Sequence, residues 1–184
     1  DVEVDLLVIA VKAAHVGESK TASFLVKSAG SILTIQNGLG SADIVADVFG
    51  KERLIVGVAQ GFGASLQEPG ISHHNDMKAI RMGGYSQGNS VRLNSVVNVF
   101  QESGFDTQAV GNIEVVQWEK LICNVAYSGP CALTGLTVGG VLDDPIVGPV
   151  SRAAAVEAWE VARKRNIPVV VDDPIAYVRD FAER

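Results

Sequence analysis

A chain of 184 residues is long enough for one domain or part of a two-domain protein, and its 47% apolar and 20% charged content excludes a disordered chain. The net charge of −6 comes from 21 acidic and 15 basic residues without a basic block, so neither nucleic acid nor an anionic membrane is an expected partner. No apolar run reaches membrane-spanning length and no signal segment opens the chain; Cys123 and Cys131 form no CxxC pair and read as free thiols of a reducing, cytoplasmic compartment.

In chain order, Val4 to Val11 is an apolar run of the kind covered on both faces of a parallel sheet, with Lys12 at its carboxyl end. Val16, Phe24, Leu25 and Val26 predict a helix over residues 16–29. Ser31 to Ile35 predicts a second strand, ended by Gln36-Asn37-Gly38-Leu39-Gly40. Ser41 reads as the N-cap of a helix through Phe49, with Asp43 in its first turn, and Arg53 to Ala59 as a third strand. That alternation implies right-handed crossovers and a doubly wound sheet.

Beyond Ala59, residues 64–67, 71–73 and 79–82 predict short antiparallel strands, with turns at Pro69-Gly70 and Asn75-Asp76. Asn89 to Ser103 predicts an amphipathic helix carrying Val91, Val96, Val97 and Phe100 and stopped by Gly104; Phe105 to Val110 predicts a last strand. From Asn112 the periodicity is helical. A long helix capped by Asn112 is disturbed near Gly129-Pro130, where the backbone loses a donor. Thr137 to Leu142 is a loop or short helix start; Asp144-Pro145 and Asp173-Pro174 open two further helices, the first over about Ile146 to Arg165. The expected boundary between an α/β part and an all-helical part falls near Gly111, dividing the chain into 1–111 and 112–184.

On the long helix, Lys120, Asn124 and Ser128 lie four apart and form one polar stripe beside Trp118, Leu121, Ile122, Val125 and Ala126. An amine flanked by an amide and a hydroxyl can hold a small oxygen-rich ligand, and burial can lower its pKa toward proton transfer. The plain alternative is a surface lysine reaching water. Lys12 and Asn37 stand at the carboxyl ends of neighbouring strands, where open α/β sheets bind ligands; a solvated lysine and an ordinary turn are their plain alternatives. Gly38-Leu39-Gly40-Ser41-Ala42-Asp43 follows a strand and opens a helix, but the carboxylate of Asp43 opposes an anion there, so it is no phosphate loop. The glycines of Gly61-Phe62-Gly63-Ala64 allow close backbone approach to a flat ring. No metal cluster is visible around His15, His73 and His74, and helix capping accounts for Asp143-Asp144 and Asp172-Asp173.

The segments Asp5-Leu6-Leu7-Val8-Ile9-Ala10-Val11-Lys12, Gln36-Asn37-Gly38-Leu39-Gly40, Pro69-Gly70-Ile71-Ser72-His73 and Trp118-x-Lys120-Leu121-x-x-Asn124 together resemble the ketopantoate reductase (2-dehydropantoate 2-reductase) family. Ala132-Leu133-Thr134, followed by a helix with Glu157 and Val161-Ala162, agrees with this. The resemblance implies an α/β fold: the C-terminal part of a Rossmann-type NADP-binding domain followed by an all-helical substrate and dimerisation domain. It implies NADPH-dependent reduction of ketopantoate to pantoate, for pantothenate and coenzyme A. Lys120 is then the general acid, and Asn37, Asn124 and Ser128 bind substrate. Lys12, Asn37 and the backbone at Ala64 lie on the cofactor side, with a small 2-keto acid as partner and a homo-oligomer as an option. Ser128 and Val138 stand where the family often has asparagines, which leaves room for another short 2-keto acid. The family's opening glycine-rich loop, its first strands (about 60 residues, two βαβ units) and a late helical segment have no counterpart here. The expectation is that the 184 residues alone neither bind NADPH normally nor turn over; a non-catalytic interaction module is the further alternative.

Overall fold

The computed structural model describes residues 3–61, 63–76, 79–86 and 90–183. The chain divides into two compact units, Asp1–Ile113 and Glu114–Arg184.

Among its described residues the first unit contains seven strands: β1 (Val4–Ile9), β2 (Val26–Thr34), β3 (Leu54–Gln60), β4 (Gly63–Glu68), β5 (Ile71–Asp76), β6 (Ala79–Gly84) and β7 (Thr107–Ala109). Five of them form one sheet in the order β1-β2-β3-β6-β7, and β4 pairs with β5 separately. β1, β2 and β3 run parallel, β6 is antiparallel to β3, and β7 is parallel to β6. Its described residues also form two α-helices, α1 (Ser41–Phe49) and α2 (Val91–Glu102). Leu33, Ile55, Ile80 and Met82 from the sheet bury against Leu93, Val96 and Val97 of α2.

Parts of the first unit differ from the sequence expectation. The helix expected over 16–29 is a three-ten helix over Ala13–Leu25, and β2 already begins at Val26. The segment has no apolar stripe at helical spacing: Val16 alone is buried, and Phe24 is 70% exposed. The pairing of β1 with β2 jumps from Val4↔Val26 to Leu6↔Ser31, so residues 27–30 bulge from the ladder. Carbonyls freed by the bulge take guanidinium donors instead: Arg53 Nε and Arg92 Nη1 reach the Gly30 oxygen at 3.0 and 2.8 Å, and Arg53 Nη2 reaches that of Lys27 at 2.8 Å.

The cap of α1 is Gly40, at φ +91°, with Ser41 inside the helix and no side-chain cap bond. In α2 the cap is Ser90, whose Oγ accepts from the Leu93 N–H at 3.1 Å, and Val91 points outward at 85% exposed; the expected start at Asn89 lies outside the described residues. The last strand is short: Phe105 gives its N–H to the Phe100 carbonyl at 3.0 Å, and the two rings pack with centroids 5.6 Å apart.

The second unit is helical: α3 (Ile113–Thr134), α4 (Val138–Asp143), α5 (Val147–Lys164) and α6 (Pro174–Ala182). Asp173 caps α6, and Asp144 stands just ahead of α5; in both, one carboxylate oxygen accepts from two following backbone N–H groups. Those bonds hold the Asp144 carboxyl below its ordinary pKa. α3 lends both cores of the unit their centre. Ile122, Cys123, Ala126 and Tyr127 bury with Val141, Ala155 and Val178, and Trp118 buries with Ala162 and Ile167. The disturbance expected near Gly129-Pro130 does not break α3, which carries Pro130 inside it and runs on to Thr134. The Ala126 carbonyl that a residue-130 N–H would have bonded instead accepts the Ser151 hydroxyl of α5 at 2.6 Å. Among the described residues no helix is long and apolar enough to cross a membrane.

Candidate functional site

In the first unit, Ile9 and Thr34 are register partners and the last residues of β1 and β2. Lys12 follows Ile9 by three residues and Asn37 follows Thr34 by three, so both emerge from the carboxyl edge of adjacent parallel strands, and both are exposed. β3 ends at Gln60 on the same edge and leads through Gly61 into the β4–β5 hairpin. Ala64, the third predicted residue, follows Gln60 by four and lies on β4 of the separate two-stranded sheet, paired with His74. Phe62, beside it in the sequence reading, lies outside the described residues.

Between Asn37 and α1 the chain turns at Gly38 (φ +87°) and Gly40 (φ +91°), and a Cβ at either would meet nothing within 4 Å. The turn needs left-handed backbone there, which glycine adopts without steric cost. Asp43, in the first turn of α1, accepts a 2.7 Å bond from the Tyr85 hydroxyl. That bond, foremost, raises the Tyr85 pKa to about 12. Asp43 thus occupies the helix N-terminus with a paired carboxylate.

Two residues here carried no role in the sequence reading. Gln36 donates from Nε2 to the Ile9 carbonyl at 2.8 Å and accepts the Thr34 hydroxyl at Oε1. The signal available was positional: Thr34 and Gln36 are two apart, hence on one face of an extended chain, directly before Asn37.

In the second unit, Lys120, Asn124 and Ser128 lie on successive turns of α3; the first two are half-buried and Ser128 is exposed. Burial pushes the Lys120 amine below its ordinary pKa. One residue earlier, Glu119 Oε1 accepts the Val170 N–H at 3.0 Å and ties the segment before α6 to α3. Val138 opens α4 and packs against the Ile122–Tyr127 core, so its side chain is committed to packing. An open groove lined by Pro149, Arg152, Val156, Glu157 and Ile175, on α5 and α6, includes none of the predicted site residues.

Two models of one protein family match the chain: "Ketopantoate reductase PanE/ApbA" over residues 1–87 and "Ketopantoate reductase PanE/ApbA C terminal" over residues 112–184. The 2-dehydropantoate 2-reductase of Halobacterium salinarum is 28% identical over 167 residues, covering 91% of this chain and 55% of that protein. That of Archaeoglobus fulgidus is 26% identical over 181 residues, covering 98% and 59%. The crystal structure of 2-dehydropantoate 2-reductase from Geobacter metallireducens superposes with a TM-score of 0.90 at 28% identity, over 99% of this chain and 60% of that one. The chain spans about half the length of the curated relatives it matches. Its mostly parallel sheet followed by a helical unit fits the Rossmann-type fold of that neighbour over the matched part. With matches on both sides of Gly111, the chain belongs to the ketopantoate reductase PanE/ApbA family.

Proposed function

We propose that the protein is a cytoplasmic NADPH-dependent reductase that converts ketopantoate to pantoate, a step toward pantothenate and coenzyme A. Residues 1–111 serve the cofactor in this reading, and residues 112–184 the substrate. The observation that carries it is a half-buried lysine, its amine weakened by burial, one turn from an amide on the central helix of the second unit.

A donor set suited to a nicotinamide cofactor supports the reading: the Lys12 cation and the Asn37 amide follow the ends of adjacent parallel strands, and the β4 backbone at Ala64 comes four residues after the third. When bound, NADPH supplies the hydride that adds to the keto carbon. As that carbon accepts the hydride, its C=O electrons move to oxygen, and Lys120 donates a proton from Nζ to the oxygen, later regaining one from water. An ammonium near the developing alkoxide also stabilises its charge, and a lowered amine pKa eases the transfer. Asn124 and Ser128 orient the substrate's oxygens, and Asn37 bridges substrate and nicotinamide.

A related short 2-keto acid is the second reading. It is favoured by the short hydroxyl of Ser128 and by Val138, whose side chain is taken up in the helical core. The deciding assay follows NADPH oxidation by the longest native form of the protein over a panel of 2-keto acids, with Lys120→Ala alongside. Ketopantoate is expected as the best substrate, and loss of the general acid should lower kcat by ~10²–10⁴. A decrease of only a few-fold removes Lys120 from that role; no turnover on any keto acid favours a non-catalytic module.

A further inference from the structure

The Ile9 carbonyl, at the end of β1, receives two donors from the neighbouring strand: the Ile35 N–H at 3.3 Å and Gln36 Nε2 at 2.8 Å. The ladder bond is long and the side-chain bond is of ordinary length, so the side chain is the firmer of the two ties. Its amide orientation is fixed from the other side, because the Thr34 hydroxyl donates to Oε1 and leaves Nε2 facing Ile9. Ile9 and Thr34 are 4% and 2% exposed, so water competes little for these groups. Lys12 and Asn37 are exposed, and the glycine turn after Asn37 has open space where side chains would otherwise pack.

We propose that Gln36 is a positioning residue: by clamping the last residues of β1 and β2 together, it sets the spacing of Lys12 and Asn37 for the cofactor. The assignment rests on the reading above that these two residues serve NADPH. Gln36 itself touches neither cofactor nor substrate in this scheme; it acts through the two residues that leave the clamped strand ends.

The test measures NADPH binding by fluorescence titration and steady-state kinetics on the longest native form, as wild type, Gln36→Met and Gln36→Glu. Methionine keeps the length and removes both hydrogen bonds. Loss of one such bond is expected to raise the NADPH Kd and KM about tenfold, with kcat changed less than about threefold. Glutamate can always accept from Thr34 but can donate to the Ile9 carbonyl only as the neutral acid. Its cofactor KM should therefore match the Met variant at high pH and recover toward wild type as the carboxyl protonates, a recovery the Met variant lacks. Amide exchange should quicken at residues 10–12 and 37–40 while β3 stays protected. Wild-type cofactor affinity in Gln36→Met overturns the assignment alone, as does a loss of exchange protection spread over the whole sheet, which marks a merely structural tie. Absence of NADPH binding by the wild type overturns the cofactor reading, and this assignment with it.

Discussion

Lys120 carries a tension that belongs to a single residue. Burial lowers its pKa, which means the folded state disfavours the ammonium relative to the unfolded chain. The sign follows directly. Below the lowered pKa the folded protein holds a charge it solvates poorly, so the residue costs stability; the cost fades as pH rises toward the unfolded value of about 10.5. Lys120→Met keeps an apolar stem of similar length and removes the charge. It is expected to be at least as stable as wild type in urea at pH 7, with the advantage shrinking toward pH 10, while turnover collapses. A variant clearly less stable at pH 7 would show that the polar contacts of the amine outweigh its desolvation. Trading stability for activity in this way is common where a charge must sit in a partly dry place. The stripe itself was legible in the sequence, because Lys120, Asn124 and Ser128 follow from helical spacing alone. Their unequal exposure was not, since it depends on what packs around each turn of α3.

At the scale of elements, α3 shows what a local pattern reveals and what it hides. Proline at 130 announces a lost donor, and a disturbance there is the natural expectation. The helix nevertheless continues to Thr134, because a hydroxyl 25 residues away in sequence satisfies the orphaned Ala126 carbonyl. Such a rescue is a tertiary fact that no window around residue 130 contains. The three-ten segment Ala13–Leu25 fails in the opposite sense: a few apolar residues suggested a helix, but their spacing buries only Val16 and leaves nothing to hold an α-helical face. Helix starts, by contrast, read well where an aspartate precedes proline: Asp173 caps α6, and the Asp144 carboxylate binds the turn that leads into α5. The Ser151 rescue has a direct test. Ser151→Ala leaves a fully buried carbonyl without a partner and should cost about 1–3 kcal/mol in urea unfolding. Pro130→Ala in that background returns an N–H to the Ala126 oxygen and should restore most of the loss. If the two substitutions simply add, with no rescue, the hydroxyl is not replacing the missing helical bond.

For the molecule as a whole, each unit has its own core, one built on a sheet and α2, the other on α3. The parallel order β1-β2-β3 was readable from alternating strand and helix patterns. The antiparallel return of β6 beside β3 was readable only as short strands, because nothing local says which partner a strand will choose. The position of β1 carries a consequence of its own. Its sequence is that of a strand covered on both sides, yet among the described residues it pairs with β2 alone and stands at a sheet edge. Val8 is 43% exposed there, whereas Leu33 and Ile55 on the next two strands are at most 2% exposed. An apolar edge with unpaired backbone groups is a template for another strand, and charge on the edge is the usual protection. The 184-residue chain is therefore expected to self-associate with rising concentration in sedimentation velocity. Val8→Lys should shift it toward monomer, while Leu66→Lys on the β4–β5 hairpin, at a residue 74% exposed, should leave association unchanged. If the hairpin variant dissolves the assembly and the β1 variant does not, association runs through the exposed hairpin and the edge of β1 is not the contact.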